Sequence, residues 1–295
     1  IRDDESRLFN VMATPGYPEL IGEMVSLNND RGLTAFIVGD SPFRLASDGT
    51  TISNWGSNTA LAVEDNDNGL VTRDEYLGVF YPSLFTSDNA GNNVVVPPSH
   101  GMLRTLALSD QVSFPWFAPA GTRRGGITNA SASGFVDAEG EFKSIALNEG
   151  QRDTLYSLNI NPITFLTGAG LVNYGQKTRA KNASALDRIN VARLVIYLRS
   201  QLKKLAKPYI FEPNDKITRD EIKAQVDSLM LELVSQRALY DFLVVCDESN
   251  NTPARIDRNE LYVDIAIEPV KAVEFIYIPS VSYTHLTLPT TQVVG

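Results

Sequence analysis

The chain has 295 residues, of which 43% are hydrophobic and 21% charged, and its formal net charge at pH 7 is −9. This apolar content excludes a disordered chain, and the length predicts one large or two medium domains. The negative charge argues against a protein held to nucleic acid by phosphate contacts, and the lack of an apolar run near ~20 residues argues against a membrane span.

Few residues are available for redox or metal chemistry. Cys246 is the single cysteine, which excludes an internal disulfide framework and a cysteine-based zinc site. His100 and His285 are the two histidines, so we expect no cofactor. The chain starts at Ile1 without an initiator Met or an apolar signal core, so we expect the interior of a longer chain that folds in a reducing cytoplasm.

In the first half, apolar runs alternate with loop-like stretches. The runs at 34–40, 77–82 and 94–97 predict buried strands, two of them ended by proline. Residues 97–126 are rich in proline and glycine and predict irregular structure. The polar stretch 136–149 predicts a boundary between structural units.

The second half is more regular. Apolar residues at helical spacing predict helices over 186–205 and 219–239. Strands are predicted over 242–246, 261–267 and 273–278, and strict alternation in the second strand indicates one dry and one wet face. The pairs spaced as capping boxes are Ser184 with Asp187 and Thr218 with Glu221.

Positive charge is concentrated in one segment. Residues 177–207 hold nine basic side chains and one acid, a net charge of +8 that leaves −17 for the rest of the chain. Such asymmetry predicts a docking surface for an acidic partner, and the alternative is a solvated helix face. The residues of the basic helix are Arg188, Arg193, Arg199, Lys203, Lys204 and Lys207.

One acidic loop partly fits a calcium-binding pattern. An EF-hand loop needs oxygen ligands at positions 1, 3, 5, 9 and 12, with Gly at position 6. The loop has Glu instead of the shorter Asp at position 1, so a turn built by Asn and Gly is the alternative. The candidate ligands are Glu64, Asn66, Asn68, Thr72 and Glu75.

A serine hydrolase is a further alternative. His100 is expected in a loop after a strand, and Asp74, His100 and Ser131 follow the Asp, His, Ser order of subtilisins. However, the chain has no Gly-x-Ser-x-Gly elbow, and an isolated loop histidine is more often structural. We therefore expect no catalytic residues.

An ordered set of motifs resembles the tail sheath proteins of contractile-tailed bacteriophages, from about residue 30 to 279. The matching stretches are 95–102 (Val-Val-Pro-Pro-Ser-His-Gly-Met), 114–126 (Phe-Pro-Trp-Phe-Ala-Pro-Ala-Gly-Thr-Arg-Arg-Gly-Gly), 158–163 (Leu-Asn-Ile-Asn-Pro-Ile), 168–175 (Gly-Ala-Gly-Leu-Val-Asn-Tyr-Gly), 185–194 (Ala-Leu-Asp-Arg-Ile-Asn-Val-Ala-Arg-Leu), 246–253 (Cys-Asp-Glu-Ser-Asn-Asn-Thr-Pro), 267–270 (Ile-Glu-Pro-Val) and 272–276 (Ala-Val-Glu-Phe-Ile).

The resemblance implies a non-enzymatic, structural function in the virion tail. Sheath subunits form six-fold rings stacked helically around a tail tube, with baseplate and tail terminator proteins as further partners. Their contraction drives the tube through the host envelope, after assembly in the host cytoplasm. A sheath of a phage-tail-like bacterial injection device is the nearest alternative. Neither nucleic acid nor a membrane is an implied partner.

The resemblance also implies an α/β fold in which a subtilisin-like domain without a catalytic triad precedes a smaller α+β domain. We expect residues 1–27 to end a preceding or inserted segment, residues 28–148 to form the later part of the first domain, and residues 149–279 to form the second. The basic helix would face the tube. The inter-subunit strand arm would comprise Val273, Glu274, Phe275, Ile276, Tyr277 and Ile278. Residues 280–295 depart from the family and are expected to be a non-native tail.

Overall fold

A computed structural model describes residues 2, 3, 6–58 and 66–274 of the chain. The strands are β1 (Val11–Ala13), β2 (Phe36–Asp40), β3 (Leu77–Tyr81), β4 (Ser83–Ser87), β5 (Asn93–Val96), β6 (Ala132–Val136), β7 (Phe142–Ser144), β8 (Ile160–Leu166), β9 (Gly170–Asn173), β10 (Leu239–Val245) and β11 (Asp264–Pro269). The α-helices are α1 (Ile21–Asp30), α2 (Gly49–Ser57), α3 (Pro98–Val112), α4 (Gly121–Arg124), α5 (Glu149–Ser157), α6 (Ile189–Ala206), α7 (Lys216–Ser235) and α8 (Pro253–Ile256).

A five-stranded sheet in the order β1-β2-β3-β8-β9 forms the centre of the fold. The first four strands are parallel, and β9 pairs antiparallel with β8 at the edge. All residues of β2 and β3 are buried, as expected for parallel strands covered on both faces. Close packing requires Gly78 in β3, because a Cβ there would lie 2.8 Å from Cζ of Phe36. The strands predicted near 34–40 and 77–82 are confirmed.

A second, four-stranded antiparallel sheet has the order β5-β4-β6-β7. The strand predicted at 94–97 is confirmed as β5, at one edge of this sheet. The polar stretch 136–149 does not only separate units, since it includes β7, which pairs with β6. Strand β7 was not predicted because it is short and partly exposed, and so lacks the apolar run that indicated β2 and β3.

The prediction of irregular structure over 97–126 is wrong for half of its length, because α3 occupies Pro98–Val112. Proline at the first helical position has a suitable φ, and its missing N–H would be unpaired there in any residue. The buried face of α3 contains Ser99, Thr105 and Ser109 beside Met102 and Leu106. These small polar residues hid the helical pattern of the sequence.

Both helices predicted in the second half are confirmed, with corrected starts, and α7 ends at Ser235, four residues before its predicted end. Ser184 accepts a hydrogen bond from the Leu186 N–H, so it caps a single 3₁₀ turn and not α6. The capping box of Thr218 and Glu221 is wrong, because the carboxylate of Asp215 accepts from the Thr218 N–H at 2.9 Å and α7 begins at Lys216. A carboxylate is a strong acceptor at an N-cap, which explains the earlier start.

The strands predicted at 242–246 and 261–267 are found as the antiparallel pair β10 and β11. Strand β10 begins three residues before its predicted start, and β11 begins three residues after its predicted start. In β11, Asp264, Ala266 and Glu268 are exposed while the isoleucines between them are half-buried, which confirms the alternation. For the strand predicted at 273–278, residues 273 and 274 belong to no strand. Residues 275–278 lie outside the described part of the chain.

Helix α6 connects the packing units. Ile189, Ala192 and Ile196 pack on the central sheet together with α3, whereas Leu194 and Leu198 pack with α7 and β10. A third cluster, under α1, α2 and α5, covers the opposite face of the central sheet. Strands β8 and β9 follow residue 149 yet belong to the central sheet, so this sheet takes strands from both sides of the expected boundary. The division into domains stays a prediction.

Candidate interaction site

The six residues of the basic helix do not share one surface. Arg193 is 3% exposed, and its Nη2 lies 2.5 Å from Oδ2 of Asp110 in α3. Arg199 donates from Nη1 to the Leu33 carbonyl at 3.1 Å, and its guanidinium lies 5.1 Å from the ring centre of Tyr76. Both arginines therefore contact their own subunit, and the expectation that the whole helix forms an outer basic face requires correction.

Arg188 also faces inward, immediately before α6. Its Nε lies 2.5 Å and its Nη2 3.1 Å from the two carboxylate oxygens of Glu274, and its Nη1 lies 2.9 Å from the carboxylate of Asp187. Two parallel N–H···O bonds to one carboxylate form the bidentate geometry that arginine favours. The sequence did not indicate this pair, because 86 residues separate its members.

The exposed positive charge is at the C-terminal end of α6. Lys203, Lys204 and Lys207 are all exposed, within and just beyond the last turn. Cations stabilise a helix C-terminus because they complement the helix dipole, so these lysines favour the helix. We define Lys203, Lys204 and Lys207 as the lysine cluster.

Glu274, predicted to be in the strand arm, is bound to its own subunit. Besides Arg188, its Oε1 accepts a hydrogen bond from the Gln176 side chain at 3.1 Å. Burial disfavours the charged form of Glu274, but the hydrogen bond and charge of Arg188 outweigh burial, and the net effect lowers the pKa of this carboxyl. Val273 is 78% exposed, and Phe275, Ile276, Tyr277 and Ile278 lie outside the described residues.

The calcium candidate forms a hydrogen-bonded turn. The Asn66 side-chain oxygen accepts from the N–H groups of Val71 and Thr72 at 3.1 and 2.9 Å, and its amide donates to Oγ1 of Thr72 at 2.9 Å. Two proposed ligands thus bind each other and the backbone, as the turn alternative predicts. Glu64 lies outside the described residues, among which no group of three or more acidic, His or Cys side chains could hold a metal ion.

The hydrolase candidates serve local structure. His100 is exposed in the first turns of α3, and the prediction that it lies in a loop is wrong. The carboxylate of Asp74 accepts from the Tyr76 N–H at 2.7 Å, and the Ser131 hydroxyl donates to the Phe85 carbonyl at 3.1 Å. In the described structure, no hydrogen bond joins any two of the three candidates.

The sequence analysis missed a buried carboxylate–serine pair. Asp40 at the end of β2 accepts from the N–H and the hydroxyl of Ser99, both at 2.7 Å, and from the Gly16 N–H at 2.9 Å. Burial raises the pKa of Asp40 to about 6, although the three hydrogen bonds oppose the shift. Ser99 is fully buried, so the pair connects β2 to α3 and offers no accessible nucleophile. The Gly-Asp ending of the apolar run at 34–40 was the sequence feature that could have indicated this pair.

A comparison with protein families finds a match near the C-terminal end of the chain. Residues 181–281 match the family model described as the phage tail sheath C-terminal domain. Over these residues the chain is similar to the C-terminal domain of phage tail sheath proteins. The resemblance to tail sheath proteins stated from the motifs is therefore confirmed. Helices α6 and α7, strands β10 and β11 and the lysine cluster lie within the matched residues.

Curated relatives extend the likeness beyond this domain. The chain is 39% identical over 181 residues to the tail sheath protein of Vibrio phage KVP40, and 35% identical over 181 residues to that of Enterobacteria phage T4. Each match covers 61% of this chain and 26% of the relative. The chain thus spans about a quarter of the length of these tail sheath proteins.

Solved structures share the fold over nearly the whole chain. A chain of the anti-feeding prophage baseplate matches with a TM-score of 0.73 at 20% identity, covering 95% of this chain and 70% of the other. The contracted sheath complex of the extracellular contractile injection system PVC matches with a TM-score of 0.70 at 19% identity, covering 94% and 72%. The mixed α/β fold is therefore that of sheath structures. No helix in the described part of the chain is long and apolar enough to cross a membrane.

Proposed function

We propose that the chain is part of a non-enzymatic tail sheath subunit that forms stacked six-fold rings around a tail tube and contracts to drive the tube through a host envelope. The match of residues 181–281 to the sheath C-terminal domain carries this proposal. The subunit would assemble in the host cytoplasm and then belong to the virion tail. Its partners would be copies of itself, the tube protein, and the baseplate and tail terminator proteins.

The proposed architecture combines a subtilisin-like domain without a triad, over about 28–148, with a C-terminal domain over about 149–279. A mostly parallel sheet with helices on both faces supports the first part of this proposal. The separate hydrogen bonds of Asp74 and Ser131 support the lack of a triad. Because β8 and β9 complete the central sheet, the two domains would share one rigid base.

The lysine cluster is the proposed contact with the tube. It is exposed and lies at the end of a helix that is otherwise buried against two cores. Charges at the edge of an interface guide docking, and salt weakens their attraction by screening. Such contacts suit an interface that must keep sheath and tube aligned and later be released. Arg188, Arg193 and Arg199 would position the helix from within the subunit.

The inter-subunit arm is proposed to begin immediately after Glu274. Its bidentate pair with Arg188 and its hydrogen bond from Gln176 tie this residue to its own subunit. The segment that follows could then extend to a neighbouring sheet edge and be completed by main-chain hydrogen bonds. Glu274 is therefore proposed as the fixed base of the arm.

A phage-tail-like bacterial device is the second candidate. The solved structures from the anti-feeding prophage and PVC systems match over 70% or more of their own length, which favours it. The higher identity to two phage sheath proteins, 39% and 35%, favours a phage. A capsid gene next to the natural gene would support the phage. Neighbouring genes of an injection device, with no capsid gene among them, would support the alternative.

Electron microscopy of negatively stained samples tests the main proposal. The complete natural gene product is imaged alone and with its tube protein. Stacked six-fold rings or long tubes are expected. Dispersed monomers in both samples, at concentrations where the tube protein itself polymerises, would contradict the sheath function.

A further inference from the structure

Three arginines come together where the segment after α3 meets the turn after α7. Arg123 and Arg124 form the end of α4, and Arg237 follows the end of α7. The indole N–H of Trp116 donates to the Gln236 carbonyl at 3.2 Å, which joins the two segments immediately beside Arg237. We define Arg123, Arg124 and Arg237 as the arginine patch.

The arginine patch has no counter-charge in the described part of the chain. Burial lowers the pKa of Arg124, and the positive charges of Arg123 and Arg237 lower it further. None of the three pairs with a carboxylate there, and Glu232 in α7 instead accepts a hydrogen bond from the Gln236 side chain. Like charges held close together repel one another, so the patch indicates an anionic partner outside the subunit.

Arg237 has a backbone conformation that an arginine rarely adopts. Its φ is 62°, and its N–H and that of Ala238 bond to the carbonyls of Val234 and Leu233, as in helices that end with glycine. A residue with a Cβ is strained in this left-handed region, and glycine would remove the strain. The helix dipole favours a cation at this position, but it does not explain the two further arginines beside it. The strained position therefore indicates that the Arg237 side chain is needed at the patch.

Partly exposed aromatic rings adjoin the arginine patch. The Arg124 guanidinium lies 4.8 Å from the ring centre of Phe117, whose ring centre lies 6.4 Å from that of Phe114. Phe114 is 41% exposed and stacks on Trp116 at 4.7 Å. Arginine and aromatic residues are enriched at the centres of protein interfaces. The patch and Phe114 together therefore have the composition of a protein-binding surface.

A surface of opposite charge lies on the exposed face of β10 and β11. Asp241 and Glu268 are direct cross-strand partners, both are exposed, and neither pairs with a cation among the described residues. Like charges directly opposite each other destabilise a sheet. Leu243, which is 61% exposed, and Ala266 form the next exposed pair on the same face. We define these four residues as the acidic face.

We propose that the arginine patch binds the acidic face of a second copy of this chain, with Phe114 against Leu243 and Ala266. The charges are opposite, and each surface has apolar side chains beside its charges. A surface that binds a different surface of the next copy makes a head-to-tail contact, which generates rings or helices and not closed pairs. The inference rests on the proposed function and deepens it, because a sheath requires contacts between copies.

Cysteine cross-linking of the 295-residue chain tests the contact. Thr122→Cys places a thiol beside the arginine patch, and Ala266→Cys places one on the acidic face, and both leave the charges unchanged. Cys246 is fully buried, so its background is low. One variant carries a size tag, and mild oxidation of the mixture is expected to give at least about tenfold more mixed dimer than a control mixture. The control replaces Ala266→Cys by Ala224→Cys, at an exposed alanine of α7.

Charge reversal of the arginine patch tests its role in the cross-link. Arg123→Glu with Arg237→Glu, made in the Thr122→Cys chain, is expected to lower the mixed-dimer yield about tenfold. If this variant does not fold, as judged by circular dichroism, Arg123→Glu alone replaces it. The matched control reverses Arg44 and Lys181, two exposed cations outside the patch, with the same change in net charge. It should leave the yield unchanged.

Reversal of the acidic face provides a test that a purely structural role would fail. Asp241→Arg with Glu268→Arg, made in the Ala266→Cys chain, should also lower the yield when mixed with the unreversed arginine patch. Mixing the two reversed chains should restore the yield, because the charges are again opposite. Added salt should lower the yield of the original mixture, since it screens exposed charges.

Two results would overturn the proposal. One is a mixed-dimer yield equal to that of the control mixture, and the other is no recovery when the two reversed chains are mixed. A single-stranded oligonucleotide or tube protein that abolishes the cross-link, and that no longer binds after arginine reversal, would be the partner instead of a second copy. Rings or tubes of the natural gene product without the cross-link would refute the contact and keep the sheath. The cross-link without rings or tubes would keep the contact and refute the sheath.

Discussion

Arg193 and Asp110 form an ion pair that joins α6 to α3, with Nη2 2.5 Å from Oδ2. The arginine side chain is 2% exposed and the aspartate side chain 28% exposed. Because α3 and α6 cover the same face of the central sheet, the pair sets the position of the helix that ends in the lysine cluster.

Asp110→Asn is expected to destabilise the protein, because it leaves the buried guanidinium without its counter-charge. Breaking one side of a buried pair costs about 3–5 kcal/mol, and because Asp110 is partly exposed we expect a loss of about 3 kcal/mol. Urea unfolding measures it. The exposed Asp153→Asn is the control, with a change within about 0.5 kcal/mol. Equal unfolding free energies for the two variants would contradict the role of the pair.

Asp40 is expected to make the protein less stable as pH rises from about 4 to about 6. Its pKa is raised from 3.8 to about 6, so the folded state binds the proton more tightly than the unfolded state in this window. The difference corresponds to about 3 kcal/mol lost between these pH values, and the loss then stays constant above the folded pKa.

Asp40→Asn removes the ionisation and should flatten this pH dependence. Urea unfolding at pH 4 and pH 7 compares the variant, the unchanged chain and the control Asp153→Asn. A slope in Asp40→Asn equal to that of the unchanged chain would show that another group titrates.

Glu274→Ala is expected to lower the free energy of unfolding by about 1–3 kcal/mol, since Arg188 loses a bidentate partner and Gln176 an acceptor. The lowered pKa of Glu274 means that its contribution is present above the unfolded pKa near 4.5 and is lost as pH falls through the folded pKa. Urea unfolding at pH 7 is the measurement. Glu268→Ala, on the exposed face of β11, is the control, and a loss of equal size there would refute the role of Glu274 as the fixed base of the arm.

Asn66→Ala is expected to cost about 1–3 kcal/mol, because the N–H groups of Val71 and Thr72 lose their acceptor. If Asn66 supports a turn, the loss is the same in calcium and in a chelator. Thermal unfolding under both conditions decides between the alternatives. A melting temperature that rises with calcium in the unchanged chain but not in the variant would favour the metal site.

Reversing Lys203 and Lys204 to Glu in the complete gene product is expected to weaken loading onto tubes and to remove part of its salt dependence. Cosedimentation with tube protein gives the bound fraction. The matched control reverses Lys181 and Lys216, two exposed lysines outside the cluster, with the same change in net charge. Unchanged loading by the Lys203 and Lys204 variant would exclude the cluster from the tube contact.

Elements with strong local patterns could be predicted from the order of the amino acids alone. Strands β2 and β3 are continuous apolar runs, α6 and α7 repeat apolar residues at helical spacing, and β11 alternates wet and dry. Each pattern reports burial of a neighbouring face and needs no knowledge of distant residues. The tail sheath resemblance likewise followed from short motifs in a fixed order.

Which charged side chains are accessible depends on how distant parts of the chain pack together. Arg193, Arg199, Lys203 and Lys204 occur on one helix, and nothing in their spacing shows that Asp110 and Tyr76 contact the two arginines. The same holds for Asp40 with Ser99 and for Arg188 with Glu274, whose members are 59 and 86 residues apart. Such pairs depend on how the sheet and helices pack, because a local pattern records the face a residue takes but not the partner it meets there.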